Sequence, residues 1–311
     1  MSRSIQQIKL NSTQTGKPAR RQISSRKFGV LMALPCVIAL LALIAFPLGS
    51  MLYNTFFKVN RFTPDIPARF VGFENYVDVF QDRYIGTAFS NTIYFVVVSV
   101  GLELLIGMGV ALLLYQPLRG RVVIRTLLLS PMMIAPVVAG LQWRWLFADQ
   151  YGALNAFLKG LGLPAPLWLA DPNISMFSII IVDVWISYPF VMLMFVAGLA
   201  GVPEELLEAA HIDGAGYWRR VWWIMLPSMR SIILITILMR VMDAFRVFDT
   251  IYVLTRGGPG VSTESISTYT YRTAFTNLKF ESAGAMSVLA VLMVAVLSVV
   301  LVRVLRGSEV A

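Results

Sequence analysis

Six stretches of this chain are each long and apolar enough to cross a bilayer, and that pattern limits the fold more than any motif does. A spanning helix needs about 20 predominantly apolar residues. The stretches are Phe28–Phe57, Ala88–Tyr115, Val122–Leu146, Ser175–Leu199, Ser228–Leu254 and Ser282–Leu305. Only 14% of the residues are charged, where a soluble domain averages roughly 25%. The expected fold is therefore an all-α membrane protein with six transmembrane helices and little soluble mass. The first stretch follows a basic tail, yet it is longer than the roughly 7–15 apolar residues of a signal peptide. It reads as a retained anchor. The expected organisation is a basic tail at 1–27, a first transmembrane helix at 28–57, and a core five-helix domain at 88–305 that carries a polar segment at 203–227.

Lysine and arginine near span ends set orientation. The tail at 1–27, Arg119, Arg121 and Arg125, then Arg219, Arg220 and Arg230, then Arg303 and Arg306 place fifteen basic residues on one side. Lys58, Arg61, Arg69, Arg83, Lys159, Arg256, Arg272 and Lys279 place eight on the other. The richer side is expected to be cytoplasmic, with both termini and the 203–227 segment on it. The loops 58–87, 147–174 and 256–281 are then outside. In the second of these, Tyr151–Leu163 reads as a short amphipathic helix, suited to membrane-surface packing or to docking an outside partner.

Several function classes drop out. The net charge of +9 sits at span ends, so it points to a lipid membrane and to no nucleic acid. Cys36 is the single cysteine; it has neither a disulfide partner nor a companion metal ligand. No G-x-x-x-x-G-K-[ST] run is present, since Gly16-Lys17 is followed by Pro18. Nucleotide chemistry must come from another chain. The one histidine, His211, has no second ligand at helical spacing, so neither a metal site nor a catalytic residue is expected.

The segment 203–227, PEELLEAAHIDGAGYWRRVWWIMLP, is the long polar island of the second half. Pro203 suits a first helical position. Glu204 and Glu205 then lie where the helix dipole favours negative charge. Ala209 and Ala210 permit close approach by another backbone. Gly214 and Gly216 allow a sharp change of direction, and Pro227 begins the fifth span. Tyr217, Trp218, Trp222 and Trp223 interleave with Arg219 and Arg220, the composition of a membrane–water interface.

The order Glu208-Ala209-Ala210, Asp213-Gly214-Ala215, Ile224-x-Leu226-Pro227 resembles the Glu-Ala-Ala loop of binding-protein-dependent ABC transporter permeases. Phe248-Asp249-x-Ile251-Tyr252-x-Leu254-Thr255-x-Gly257-Gly258-Pro259, Ser265–Phe275 and Asn91-Thr92 resemble the carbohydrate branch of that family. The similarity spans roughly 28–306. Val221 and Ser231 depart from it, standing where the family often has a large aromatic residue and a second proline. The resemblance implies a type I ABC importer permease fold in the cell inner membrane. It implies a second permease subunit in a heterodimer, two ATPase subunits that hold ATP and Mg, and an extracytoplasmic solute-binding protein. No cofactor is implied in this chain. The helix at 203–216 would dock on the ATPase through Glu205, Glu208, Ala209, Ala210, Asp213 and Gly214.

Glu103, Arg144, Asp183, Arg240, Asp243, Arg246 and Asp249 lie within the spans, where charge is costly and faces a cavity or a partner. Asp183, Ser187 and Phe190 share one face of the fourth span at i, i+4, i+7; Arg240, Ala244 and Val247 do so on the fifth. Arg240–Asp243 and Arg246–Asp249 are spaced to pair at i, i+3. These charges either hold the bundle together or line a path for solute. By the resemblance, Asp183, Ser187, Phe190, Arg240, Ala244 and Val247 are substrate-path candidates. The solute would be a sugar, oligosaccharide, polyol or glycerol phosphate, and the residues leave neutral and anionic solutes both open. A stand-alone secondary transporter or channel would show inverted repeats or matching broken helices; no repeat is visible between the halves. A membrane-embedded enzyme would need a ligand or nucleophile cluster that one histidine does not supply.

Overall fold

The computed structural model describes residues 25–59, 68–116 and 119–307; most of the basic tail at 1–27 lies outside the described residues. The chain divides at Ser50 and Met51 into two units with separate internal contacts. The first unit holds helix α1 (Ser25–Leu40), which continues through one π-turn (Leu41–Ala45) into the start of α2 (Phe46–Asn54), whose residues from Met51 onward belong to the second unit.

The second unit is almost entirely helical. One departure from the all-α expectation is a two-stranded antiparallel pair, β1 (Phe57–Lys58) with β2 (Arg69–Phe70), in the register Phe57 to Phe70 and Lys58 to Arg69. It is followed by α3 (Glu74–Gln81). The buried Asn75 amide donates to the carbonyls of Thr55 at 2.7 Å and Phe57 at 2.9 Å, which ties α3 to the strand. Lys58 reaches Glu74 and Asp78, each at 2.8 Å. Its hydrogen bonds to Asp78 and then to Glu74 hold the ammonium above the ordinary lysine range.

Helix α4 (Ile85–Tyr115) and helix α8 (Ser175–Ala200) form the spine. On α4 the buried residues Ala88, Thr92, Phe95, Ser99, Glu103, Gly107, Ala111 and Leu114 recur at three- and four-residue intervals. Leu105, Ile106, Val97 and Leu113 stay exposed on the opposite side, where hydrocarbon suits them as well as a core would. At Gly107 a Cβ would fall 2.7 Å from Val191 Cγ1, so α8 approaches α4 as closely as the absence of a side chain allows.

Of the six expected spans, four are continuous: Met32–Asn54, Ile85–Tyr115, Ser175–Ala200 and Phe280–Val300. The last lies in α15 (Phe280–Gly307). The other two are broken. In place of one helix over Val122–Leu146 there are α5 (Arg121–Leu129), a 3-10 turn (Ser130–Met133) and α6 (Pro136–Leu146), and the two limbs meet at 97°. Pro136 cannot donate a backbone bond and pushes the preceding residue out of the helical region; Ala135 is accordingly extended at φ −60°, ψ 136°. Tyr188 Oη donates to the Leu128 carbonyl at 3.2 Å, pairing a carbonyl near this break from the neighbouring helix.

The fifth span, expected at Ser228–Leu254, likewise comes in pieces. After α7 (Ala153–Gly160) and α9 (Glu204–Ile212), the chain runs through α10 (Tyr217–Arg220), a π-turn (Val221–Met225) and α11 (Leu226–Ser228). It then bends by 71° at Met229 into α12 (Arg230–Phe245) and α13 (Asp249–Leu254). Pro227 thus sits inside the helical run that precedes the bend. A second interruption covers Arg246–Phe248, and there Ser265 Oγ donates to the Val247 carbonyl at 3.2 Å.

The connection from α13 to α14 (Ile266–Tyr271) is pinned from several directions. Asn91 donates to the carbonyls of Val261 and Glu264, each at 3.1 Å, and Thr92 Oγ1 accepts from Ile266 N at 3.0 Å. Gly257 has φ +88° and lies against the Glu264 carboxylate. Burial holds that carboxyl above the usual glutamate range, although Arg272 stands 2.9 Å away.

Gly107→Ala is expected to destabilise the purified protein by about 1–3 kcal/mol through overpacking against Val191. Gly101→Ala on the same helix, with nothing within 4 Å, is expected to leave the thermal midpoint in detergent unchanged. Equal midpoints for the two variants would show that the α4–α8 approach is looser than described.

Candidate functional site

Three helices bring charge to one place. Glu103 of α4 is fully buried, and Arg240 of α12 is 8% exposed. Arg240 Nε donates to Glu103 Oε2 at 2.6 Å and Nη2 donates to Oε1 at 2.9 Å. Such a two-point guanidinium–carboxylate pair is short, charge-assisted and directional. Asp183 of α8 comes within 3.6 Å of Nη2, and Asp243 within 3.8 Å of Nη1. Asp183 Oδ2 is buried and accepts no hydrogen bond. Asp243 takes its close partner from Arg246, at 2.8 Å.

This cluster forms one wall of a cavity of about 450 Å³. Asp183, Ile186 and Ser187 line it from α8, and Arg240, Asp243 and Ala244 from α12. The interruption at Arg246–Phe248, with Asp249 and Thr250 beyond it, supplies most of the remainder, and Pro136 contributes from the break before α6. Irregular backbone at membrane depth is tolerated where it lines such a cavity. The wall offers carboxylates, guanidinium groups and the hydroxyls of Ser187 and Thr250 beside the Phe248 ring, which suits a polar, hydroxyl-bearing solute.

A second feature lies at another level of the same helices. Leu207, buried, seats α9 in a cluster with Ala111 and Leu112 of α4, Val191, Phe195 and Leu199 of α8, and Val221, Met225 and Met229. The rest of α9 stays open: Glu205, Leu206, Glu208, Ala209, His211 and Ile212 are exposed and Ala210 is half-buried. Pro203 caps the helix in extended conformation at φ −60°, ψ 125°, one position before the helical start expected for it. At the other end Gly214 turns left-handed at φ +74°. Gly214 N then donates to His211 O at 3.0 Å and Ala215 N to Ala210 O at 2.8 Å, the paired bonds of a glycine-terminated helix.

Residues 103–309 match the family of binding-protein-dependent transport system inner membrane components. The chain belongs to that family. It is 36% identical over 281 residues to the trehalose/maltose transport system permease protein MalF of Thermococcus litoralis, covering 90% of this chain and 94% of that one. It is 33% identical over 290 residues to the sulfoquinovosyl glycerol transport system permease protein SmoG of Agrobacterium fabrum, covering 92% and 93%. Among solved structures, a bacterial ABC transporter involved in the import of the acidic polysaccharide alginate superposes with a TM-score of 0.79 at 21% identity, over 90% of this chain and 95% of that one. The fold is therefore that of a type I ABC importer permease.

In this inner membrane component, the sequence-derived positions fall unevenly. Asp183, Ser187, Arg240, Ala244 and Val247 all line the one cavity. Phe190 does not; it packs with the Leu207 cluster. It shares a helical face with Asp183, but seven residues carry it roughly 10 Å along the axis, past the floor of the cavity. The expected Arg246–Asp249 pair is replaced by Arg246–Asp243. Helix α12 ends at Phe245, so three-residue helical spacing holds backwards from Arg246 and fails forwards.

Glu103 was visible as an intramembrane charge, but its partner lies 137 residues away and no local spacing reveals it. On α9, Ile212 is an exposed apolar residue outside the expected docking set of Glu205, Glu208, Ala209, Ala210, Asp213 and Gly214. The available signal was angular: Ile212 follows Leu207 by five residues, roughly 140° around the helix, away from the seated face.

Truncating Glu103 strands the Arg240 guanidinium. Glu103→Ala is expected to cost about 3–5 kcal/mol, because a buried charge loses its partner. The double variant Glu103→Leu/Arg240→Met is expected to recover most of that loss. Fluorescence-detected thermal unfolding of the purified chain is the measurement, and a double variant no more stable than Glu103→Ala would contradict the pairing.

Proposed function

We propose that this chain is one permease subunit of an ATP-driven importer that moves a carbohydrate-type solute into the cytoplasm, with the cavity at Asp183 and Arg240 as part of its path. The observation that carries the reading is the cavity itself: a polar, charge-lined space at two helix breaks inside an otherwise apolar bundle. Curated relatives that match nine-tenths of the chain, named for trehalose, maltose and sulfoquinovosyl glycerol transport, support a sugar or glycoside as solute. Carboxylate and guanidinium groups bond hydroxyls, and an aromatic face such as Phe248 stacks on a sugar ring.

The energy is supplied from another chain. Two ATPase subunits, binding ATP and Mg, engage the exposed face of α9 on the cytoplasmic side; the excess of basic residues supports both termini lying on that side too. A second, different permease subunit completes the path, and an extracytoplasmic solute-binding protein delivers solute to the opposite face. The site of action is the cell inner membrane.

The packing offers a physical route between the two features. Leu207 holds α9 against Ala111 of α4, Val191 of α8 and Met229 at the start of α12. Glu103 and Asp183 each lie eight residues further along those same helices, roughly 12 Å away, and Arg240 stands on the third. A rigid displacement of α9 therefore bears on the three helices that carry the cavity charges.

Asp183→Ala is expected to lower solute uptake by at least tenfold in cells while the ATPase subunits still co-purify. Glu208→Lys, on the exposed face of α9, is expected to abolish co-purification of the ATPase, and uptake with it, with the chain left folded. Normal uptake by the first variant would remove the cavity from the path; full ATPase retention by the second would remove α9 from the coupling interface.

A further inference from the structure

Family membership leaves the charge of the solute open, and an arginine in the wall invites an anion. The distances argue otherwise. Nε and Nη2 of Arg240, the side-on pair of donors that could grip a solute carboxylate or phosphate, are taken by Glu103 at 2.6 and 2.9 Å. The same guanidinium has Asp183 at 3.6 Å and Asp243 at 3.8 Å, so three carboxylates surround one cation. The second cation of the wall, Arg246, is bound to Asp243 at 2.8 Å. Asp249 lines the same cavity, and among the described residues it has no ion pair. Asp183 Oδ2 is buried without a hydrogen-bond donor, which is a costly state unless a ligand or water supplies one.

We propose that Glu103 is a positioning residue that sets the charge selectivity of the cavity: by holding Arg240 in a two-point pair it leaves the wall net negative, so the path takes neutral, hydroxyl-donating solutes and rejects anionic ones. The inference rests on the reading of this cavity as the solute path. Its logic is one of difference. A neutral sugar hydroxyl donates to the cavity-lining carboxylate of Asp183 and costs nothing in repulsion. A phosphate or carboxylate placed there meets more carboxylates than guanidinium groups and finds the side-on face of Arg240 already taken, and specificity arises as much from that repulsion as from the attraction. Glu103 is buried behind Arg240 and does not line the cavity, so it acts through the arginine.

The charge of the wall is measurable without knowing the solute. In the assembled transporter, with this chain's one cysteine removed as Cys36→Ser and the reagent rates corrected for the same assembly without the new thiol, Ser187→Cys places a thiol in the wall. Its rates of modification by a cationic trimethylammonium-ethyl methanethiosulfonate and by an anionic sulfonatoethyl methanethiosulfonate are each divided by the rate with a free thiol. The expected result is a normalised preference for the cationic reagent. Adding Glu103→Gln, which keeps one acceptor for Arg240 and removes the negative charge, is expected to shift the ratio toward the anion by roughly tenfold, as a unit charge about 10 Å away in a partly hydrated site would. Adding Arg240→Gln to that variant is expected to return the cation preference.

Equal rates, or an anion preference, in the Ser187→Cys protein overturn the proposal even if the Glu103 variants fail to assemble. An unchanged ratio in Glu103→Gln overturns the role of Glu103. Failure of the transport reading is separate: it appears as normal uptake by Asp183→Ala, whatever the reagents report.

Discussion

A buried arginine between helices is tolerable in this bundle only because a glutamate reaches it from across the core. Removing two charges from water costs several kcal/mol each, and the mutual attraction offsets this only when geometry is good and the remaining polar atoms are bonded. Arg240 and Glu103 meet the geometric part of that condition through two hydrogen bonds, at 2.6 and 2.9 Å. The pair joins α4 to α12, and Asp183 brings in α8 at 3.6 Å. The mutual placement of these three helices, and hence the shape of the cavity beside them, depends on this junction.

The same requirement explains where the helices break. Backbone groups freed within a bilayer must find partners inside the protein. Near the bend between α5 and α6, Tyr188 bonds the Leu128 carbonyl; at the gap after α12, Ser265 bonds the Val247 carbonyl. Each interruption is thus matched by a side chain from a neighbouring element. The cavity sits between these two breaks, with Pro136 from one and Val247 through Thr250 from the other in its wall. Irregular backbone and polar lining occur together because each makes the other affordable in a medium without water.

The seated helix α9 follows a different rule. One buried leucine, Leu207, anchors it, while most of its remaining residues stay exposed. A helix held on one narrow stripe leaves the rest of its surface open without unfolding cost. Its end is closed by the left-handed Gly214, so the chain turns sharply back toward the bundle at Tyr217. The exposed Trp218, Trp222 and Trp223 then lie on the run that leads to the bend at Met229, amphipathic side chains suited to a membrane boundary.

The sequence by itself determined the class of the protein, the number and approximate limits of its apolar segments, and the family through Glu208-Ala209-Ala210 and Asp213-Gly214. It also placed Asp183 and Ser187 on one helical face and Arg240 and Ala244 on another, because helical periodicity is local and readable from spacing; Val247 reaches the same cavity from the interruption after α12, not from the helical face expected for it. Long apolar runs are legible for the same reason: hydropathy needs no partner. What only the tertiary structure decided is which charge answers which. Glu103 and Arg240 are far apart in the chain, Arg246 turned to Asp243 when α12 ended one residue before it, and Phe190 missed the cavity by its height along α8. The breaks in the third and fifth spans were equally hidden from hydropathy, which averages over a window and is blind to backbone direction. Composition reports how much polar surface a membrane chain must hide; only packing decides where the partners stand.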